Sequence, residues 1–137
     1  TLLELVQKSM DRKNIAFRLM PAQFDTYQSA IEKNAALKIY TALDQNQEAQ
    51  AAIAIVQDQK RASLWLSGST ETGRKTSAIY LLLWSAIKEA AKSNLLFDFE
   101  GSMAPSVETL FRSFGASRIP YYRVIKTKPK FLSLLRS

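Results

Sequence analysis

The chain has 137 residues, 47% of them apolar and 23% charged, with a net charge of +7. These values fit one globular domain with room for a real core. With no cysteine and no histidine, they exclude disulfides, thiolate metal sites, a Cys nucleophile and every His-based triad, and no metal site is expected. No apolar run approaches the roughly 18–20 residues that cross a bilayer. Leu2–Met10 is interrupted by Glu4, Gln7 and Lys8, unlike the apolar core of a signal peptide. The expected location is cytoplasmic, with no membrane partner.

In chain order, Leu2, Leu3, Val6 and Met10 recur at helical spacing, which predicts a helix to about Lys13. Asn14–Leu19 reads as a strand or an extended connection. Pro21 suits a first helical turn, and Phe24, Tyr27 and Ile31 line one face of a second helix ending near Asn34. Leu37, Ile39, Thr41 and Leu43 alternate with polar residues, as in a half-buried strand. A turn at Asp44–Glu48 leads to an apolar strand, Ala51–Gln57. A second turn at Asp58–Arg61 leads to a third strand, Ala62–Ser67. Three strands joined by tight polar turns make an antiparallel meander.

The next stretch organises the rest. A polar loop, Gly68–Lys75, precedes a long helix, Thr76–Lys92. A short apolar strand, Leu95–Phe99, follows, then a helix beginning near Pro105 and ending at Gly115, and a last strand, Tyr121–Ile125. A right-handed crossover sets Leu64–Leu66 and Leu95–Phe99 side by side and parallel, splaying near Ser67 and Glu100. Ligands in such units bind beyond the carboxyl ends of the strands. The fold class is α+β, one mixed sheet in the order ααβββαβαβ. The antiparallel meander joins a central parallel strand pair within a single domain, residues 1–137.

That order, with the residues from Leu64 to Tyr122, resembles the GCN5-related N-acetyltransferase (GNAT) fold. Phe97-Asp98-Phe99-Glu100-Gly101 and Phe111-Arg112-Ser113-Phe114-Gly115 are similar to two patterns of its Fem-type branch, which includes peptidyltransferases of cell-wall precursors. The resemblance implies an N-acyltransferase that moves an acetyl or aminoacyl group to an amine. Its donor would be acetyl-CoA or another acyl-CoA, or alternatively an aminoacyl-tRNA. Its acceptor would be a small amine or a peptide. Fem-type proteins usually carry two such lobes. The resemblance therefore also implies a second lobe, in a longer protein whose C-terminal lobe this is, or a partner such as a second copy.

The glycine motif that precedes the helix in most members is incomplete in either register: Gly73, Thr76 and Ala78, or Arg74, Ser77 and Ile79. A helix N-terminus still offers free N–H groups and a positive dipole to phosphates. The donor-binding residues expected are Ser67, Gly68, Gly73, Arg74, Lys75, Thr76, Ser77 and Ala78. The position of the usual tyrosine acid holds Phe111, which leaves Tyr121 or Tyr122, of which Tyr122 is carried as the candidate. Glu100 is expected to position or deprotonate the amine, and Asp98 to support the strand end. Arg112 would stabilise an oxyanion or a phosphate. Gly101 and Ser102 are expected at the acceptor. The competing class is a binding module that kept the fold without catalysis.

Overall fold

The computed structural model describes residues 1–16, 19–101, 105–120, 122, 124 and 125. The elements are α1 (Leu2–Arg12), α2 (Pro21–Ile31), β1 (Ala36–Leu43), β2 (Ala49–Gln57), β3 (Arg61–Ser69), α3 (Glu71–Lys75), α4 (Ala78–Lys92), β4 (Leu96–Asp98) and α5 (Pro105–Ser113). The sheet order is β1-β2-β3-β4. The first three strands are antiparallel, and β4 lies parallel to β3.

Short carboxylates make the meander turns. Asp44 Oδ1 accepts the N–H groups of Asn46 and Glu48, and Asp58 Oδ1 accepts those of Lys60 and Arg61. These bonds favour the ionised form and lower both carboxyl pKa values. Asn94, in the left-handed region at φ 53°, ends α4. Leu95 N–H then closes back on the Ala90 carbonyl, which turns the chain into β4.

Strand β2 divides its side chains between two layers. Ala51, Ile53 and Ile55 pack beneath α4, against Leu82, Leu83, Ala86 and Ala90. Ala52 and Ala54 face α1 and α2, against Leu2, Leu5, Val6 and Phe24. The small side chains on the second face let α1 sit close. A Cβ on Gly68 would lie 2.3 Å from the backbone of Leu5 and Val6. Burying a side chain such as Ile53 or Leu83 stabilises the fold by roughly 1.5–3 kcal/mol. At the β1 edge, Glu89 of α4 bonds Lys38 and Tyr40. Lys38 and Tyr40 lower the Glu89 pKa; burial, and then Glu89, raise that of Tyr40.

One irregularity shapes the centre. Ala54 pairs with Leu66 and Ile55 with Leu64, so Trp65 is an extra residue in β3. Leu64 therefore packs toward α4, while Trp65 and Leu66 both turn to the α1–α2 face. A bulge bends its strand and increases the twist. Strand β4 pairs only with Arg61, Ala62 and Ser63. From Leu64 onward the outer edge of β3 has no strand partner among the described residues.

Strands β3 and β4 are parallel neighbours, as expected, but the pairing joins Arg61–Ser63 to Leu96–Asp98 rather than using Leu64–Leu66, and so ends at Ser63 and Asp98, before Ser67 and Glu100. The expected loop Gly68–Lys75 is instead the end of β3 followed by α3. Of the expected last strand, Tyr122, Val124 and Ile125 belong to no strand; Tyr121 and Arg123 lie outside the described residues.

Candidate active site

One side of the candidate site is built at the end of β3. Ser69 donates its N–H to Ser9 Oγ at 2.9 Å, and its carbonyl accepts from Ser9 Oγ and Arg12 Nη1. Thr70 caps α3, its Oγ1 accepting the Gly73 N–H at 2.9 Å, and it also donates to Gln50 Oε1. Gly73 is buried, and a Cβ there would lie 2.1 Å from the Gln50 carbonyl oxygen. Gly68 and Gly73 thus permit close packing of α1 and β2 against this corner.

The first turn of α4 is different. Ser77 is its N-cap in the left-handed region, φ 57°, and its hydroxyl makes no capping bond. Among the described residues, the N–H groups of Ala78 and Ile79 have no partner. A helix of 15 residues with open N–H groups and a positive end is an anion-accepting turn. Thr76 Oγ1 donates back to the Thr72 and Gly73 carbonyls. Arg74 pairs with Glu71 at 3.1 Å, which lowers the Glu71 pKa and raises that of Arg74. Lys75 is exposed and forms no ion pair among the described residues. Ser67 lies past the bulge on the edge that β4 leaves unpaired.

The acidic side is built at the end of β4. Asp98 Oδ1 accepts the Glu100 N–H at 2.8 Å, and Oδ2 pairs with Arg61 at 3.1 Å. Glu100 and Gly101 are both left-handed, at φ 59° and 72°. Because the strand ends at Asp98, Asp98 and Glu100 do not share a strand face. The Glu100 carboxylate is exposed and accepts no hydrogen bond among the described residues. Asp98 is level with Ser63, so Glu100 stands well below the end of β3, which runs on for roughly 20 Å beyond Ser63. Phe111 stacks on Phe99 at 4.5 Å. Arg112 points along α5 to Glu108, 2.6 Å away. Tyr122 is 87% exposed. Ser102 lies outside the described residues.

The structure therefore gathers Ser67, Gly68, Gly73 and the Arg74–Ala78 run around one strand end. It sets Asp98, Glu100 and Gly101 at another. Sequence reading missed Ser9, Gln50 and Thr70, which hold the corner between the end of β3 and α3. Thr70, three residues before Gly73, is the cap signal that could have been read. Arg61, 37 residues before Asp98, left no local signal.

A β–α–β unit with an opened parallel strand pair is thus in place, and comparison with known proteins gives the family. The chain belongs to the acetyltransferase (GNAT) domain family, which matches residues 1–105. Two solved structures share its fold. One is an aminoglycoside antibiotic 6'-N-acetyltransferase from Acinetobacter haemolyticus in its apo form. It is 11% identical, with a TM-score of 0.65, over 94% of this chain and 93% of that one. The other is a putative acetyl transferase from Pyrococcus furiosus. It is 13% identical, with a TM-score of 0.59, over 93% and 92% of the two chains. No curated protein matches the chain in sequence. No helix among the described residues is long and apolar enough to cross a membrane.

Proposed function

We propose that this chain is an N-acyltransferase that moves an acyl group from acyl-CoA, acetyl-CoA in the first instance, to an amine. The observation that carries the reading is the open first turn of α4, beside a β3 edge released by the bulge at Trp65. The N–H groups of Ala78 and Ile79, the Ser77 hydroxyl and Lys75 suit a pyrophosphate, by dipole, hydrogen bond and charge. The free edge from Leu64 to Ser67 suits an extended amide-bearing arm. The donor, when bound, supplies the activated acyl carbonyl.

The attacking amine must be neutral. Glu100 is the base, taking the amine proton directly or through one water. Asp98 fixes the Glu100 turn and takes no proton. Gly101 keeps the backbone beside the acceptor slim. Tyr122 is the O–H acid for the leaving thiolate, and Arg112 the cation for the oxyanion.

The two phenylalanine–glycine patterns, Phe97–Gly101 and Phe111–Gly115, support the finer placement in the Fem-type branch. With it come an aminoacyl-tRNA as second donor, a peptide acceptor, and a second lobe or copy as partner. A cytoplasmic domain spanning residues 1–137 belongs to the same reading.

Calorimetric titration with acetyl-CoA tests the donor. The double change Arg74→Ala, Lys75→Ala weakens binding, more at low salt because exposed charges are screened. Glu100→Gln lowers turnover by roughly 10²-fold, a usual general-base contribution. No acetyl-CoA binding at millimolar concentration sinks the acyl-CoA reading and favours aminoacyl-tRNA. Binding without transfer to any amine marks a module that kept the fold without catalysis.

A further inference from the structure

Strand β2 carries a bulge of its own. Leu43 pairs with Ala49 and Ala42 with Ala51, so Gln50 is an extra residue opposite β1. The pairing with β3 begins only at Ala51. Gln50 therefore pairs with neither neighbouring strand. A bulge re-aims the side chain at the extra position, and this one is aimed at the corner that leads into α3.

Both ends of the Gln50 amide are used. Nε2 donates to Asp44 Oδ2 at 2.7 Å, and Oε1 accepts the Thr70 hydroxyl. The Gln50 main-chain carbonyl accepts the Thr70 N–H at 2.9 Å. Thr70 Oγ1 in turn accepts the Gly73 N–H. Asp44 is itself held, with the Asn46 and Glu48 N–H groups on Oδ1. The donors thus run one way: Gly73 to Thr70, Thr70 to Gln50, Gln50 to Asp44.

From Thr70 the path onward is short. Arg74 N–H bonds the Thr70 carbonyl, Thr76 N–H that of Thr72, and Ser77 N–H that of Arg74. Helix α3 is hydrogen-bonded through from its cap to the left-handed Ser77. Ser77 is the N-cap of α4, whose Ala78 and Ile79 N–H groups have no partner among the described residues. A Cβ on Gly73 would lie 2.1 Å from the Gln50 carbonyl oxygen, so α3 rests directly on the bulge.

We infer that Gln50 is a positioning residue for the anion-accepting turn of α4. Through Thr70 and α3 it sets the direction of the Ala78 and Ile79 N–H groups, and Asp44 holds Gln50 in place. Neither residue is assigned a contact with the donor. The inference rests on the acyl-CoA reading of that turn, and its test separates the two.

Three variants are compared with wild type: Gln50→Leu, Gln50→Glu, and Gln50→Glu combined with Asp44→Asn. Gln50→Leu removes the amide at similar volume. Gln50→Glu keeps the acceptor for Thr70 and sets two carboxylates face to face. Adding Asp44→Asn turns that contact round, an amide now donating to a carboxylate, and restores the chain of bonds. Acetyl-CoA affinity is measured by calorimetry, and the backbone amide signals of Ala78 and Ile79 by NMR, at a temperature where every variant is folded. Each single change raises the acetyl-CoA Kd about ten-fold, the size of one lost hydrogen bond, and shifts both amide signals in the free protein. The double change brings affinity and signals back toward wild type. A lowered unfolding temperature with affinity and signals unmoved marks a purely structural role and overturns the inference. A double variant no better than Gln50→Glu overturns it as well. If wild type binds no acetyl-CoA, the acyl-CoA reading fails, and titration with pyrophosphate alone decides. Pyrophosphate shifts at Ala78 and Ile79 that weaken in Gln50→Leu support the positioning role. Equal shifts in the two proteins, or none in wild type, sink it.

Discussion

The two parallel strands end in opposite ways. Where β3 ends, nearly every polar group is spoken for. Ser9 holds both the N–H and the carbonyl of Ser69. Thr70 N–H donates to the Gln50 carbonyl at 2.9 Å, and Gln50 Nε2 reaches Asp44 Oδ2 at 2.7 Å. Where β4 ends, one carboxylate caps one N–H, and two consecutive residues take left-handed conformations. One of them, Glu100, is not glycine, and its carboxylate accepts no hydrogen bond among the described residues. The β3 end is tied to α1 and β2 by hydrogen bonds, and its open N–H groups lie in the first turn of α4. The acidic end keeps strain and a carboxylate without a partner among the described residues, and strained residues often cluster at functional sites.

The sharpest way to break this contrast is to unseat the closed end. Gly73→Ala sets a methyl 2.1 Å from a backbone carbonyl, and Gly68→Ala sets one 2.3 Å from the backbone of α1. Neither neighbour is a flexible side-chain tip. Each substitution is expected to cost about 3 kcal/mol, at the upper end for overpacking, measured by urea unfolding. A loss below about 1 kcal/mol would mean that the corner yields more readily than its geometry implies. Next in size is Ser9→Ala. It leaves the buried N–H of Ser69 without its acceptor and the carbonyl with only Arg12. The expected cost is about 2 kcal/mol, the range for an orphaned buried donor. Acetyl-CoA affinity should fall as well, because Ser69 leads directly into α3 and α4.

The difference between the two ends also marks how far the sequence could be read. The meander, the long helix and the parallel pair were legible, because alternation, helical spacing and polar turns that open on an aspartate are local signals. The polar run Gly68–Lys75 read as a loop because its order comes from distant partners, Ser9, Arg12 and Gln50. Gly68 and Gly73 looked like ligand-facing glycines for the same reason. Their packing neighbours, Leu5, Val6 and Gln50, are remote in sequence. The bulge at Trp65 was invisible, since a bulge is a property of the pairing and Leu64-Trp65-Leu66 is apolar throughout. That one extra residue explains why β4 parts from β3 earlier than alternation predicts. Of the acidic pair, Asp98 was read as supporting the strand end, which its bond to the Glu100 N–H supplies. Their shared strand face was not found, because the strand stops at Asp98 and the next turn is left-handed.

The smallest expected effect is also the one that tests the open end most directly. A left-handed residue with a Cβ costs roughly 1–2 kcal/mol relative to glycine, offset in part by the greater freedom of glycine in the unfolded chain. Glu100→Gly should therefore raise stability by up to about 1 kcal/mol, since the carboxylate it removes has no partner among the described residues to lose. Glu100→Ala keeps the Cβ and the strain, so its stability should match wild type. Both variants lose the carboxylate, so both should lose turnover to the same extent as Glu100→Gln. Thermal unfolding and acetyl transfer on the three proteins separate the two properties. A protein held in an unfavourable conformation for the sake of one carboxylate gains stability in the glycine variant and loses activity in all three. If glycine and alanine are equally stable, the strain at Glu100 is not real. If all three turn over like wild type, the base lies elsewhere, and the turn at Glu100–Gly101 serves only to lead the chain away from the sheet.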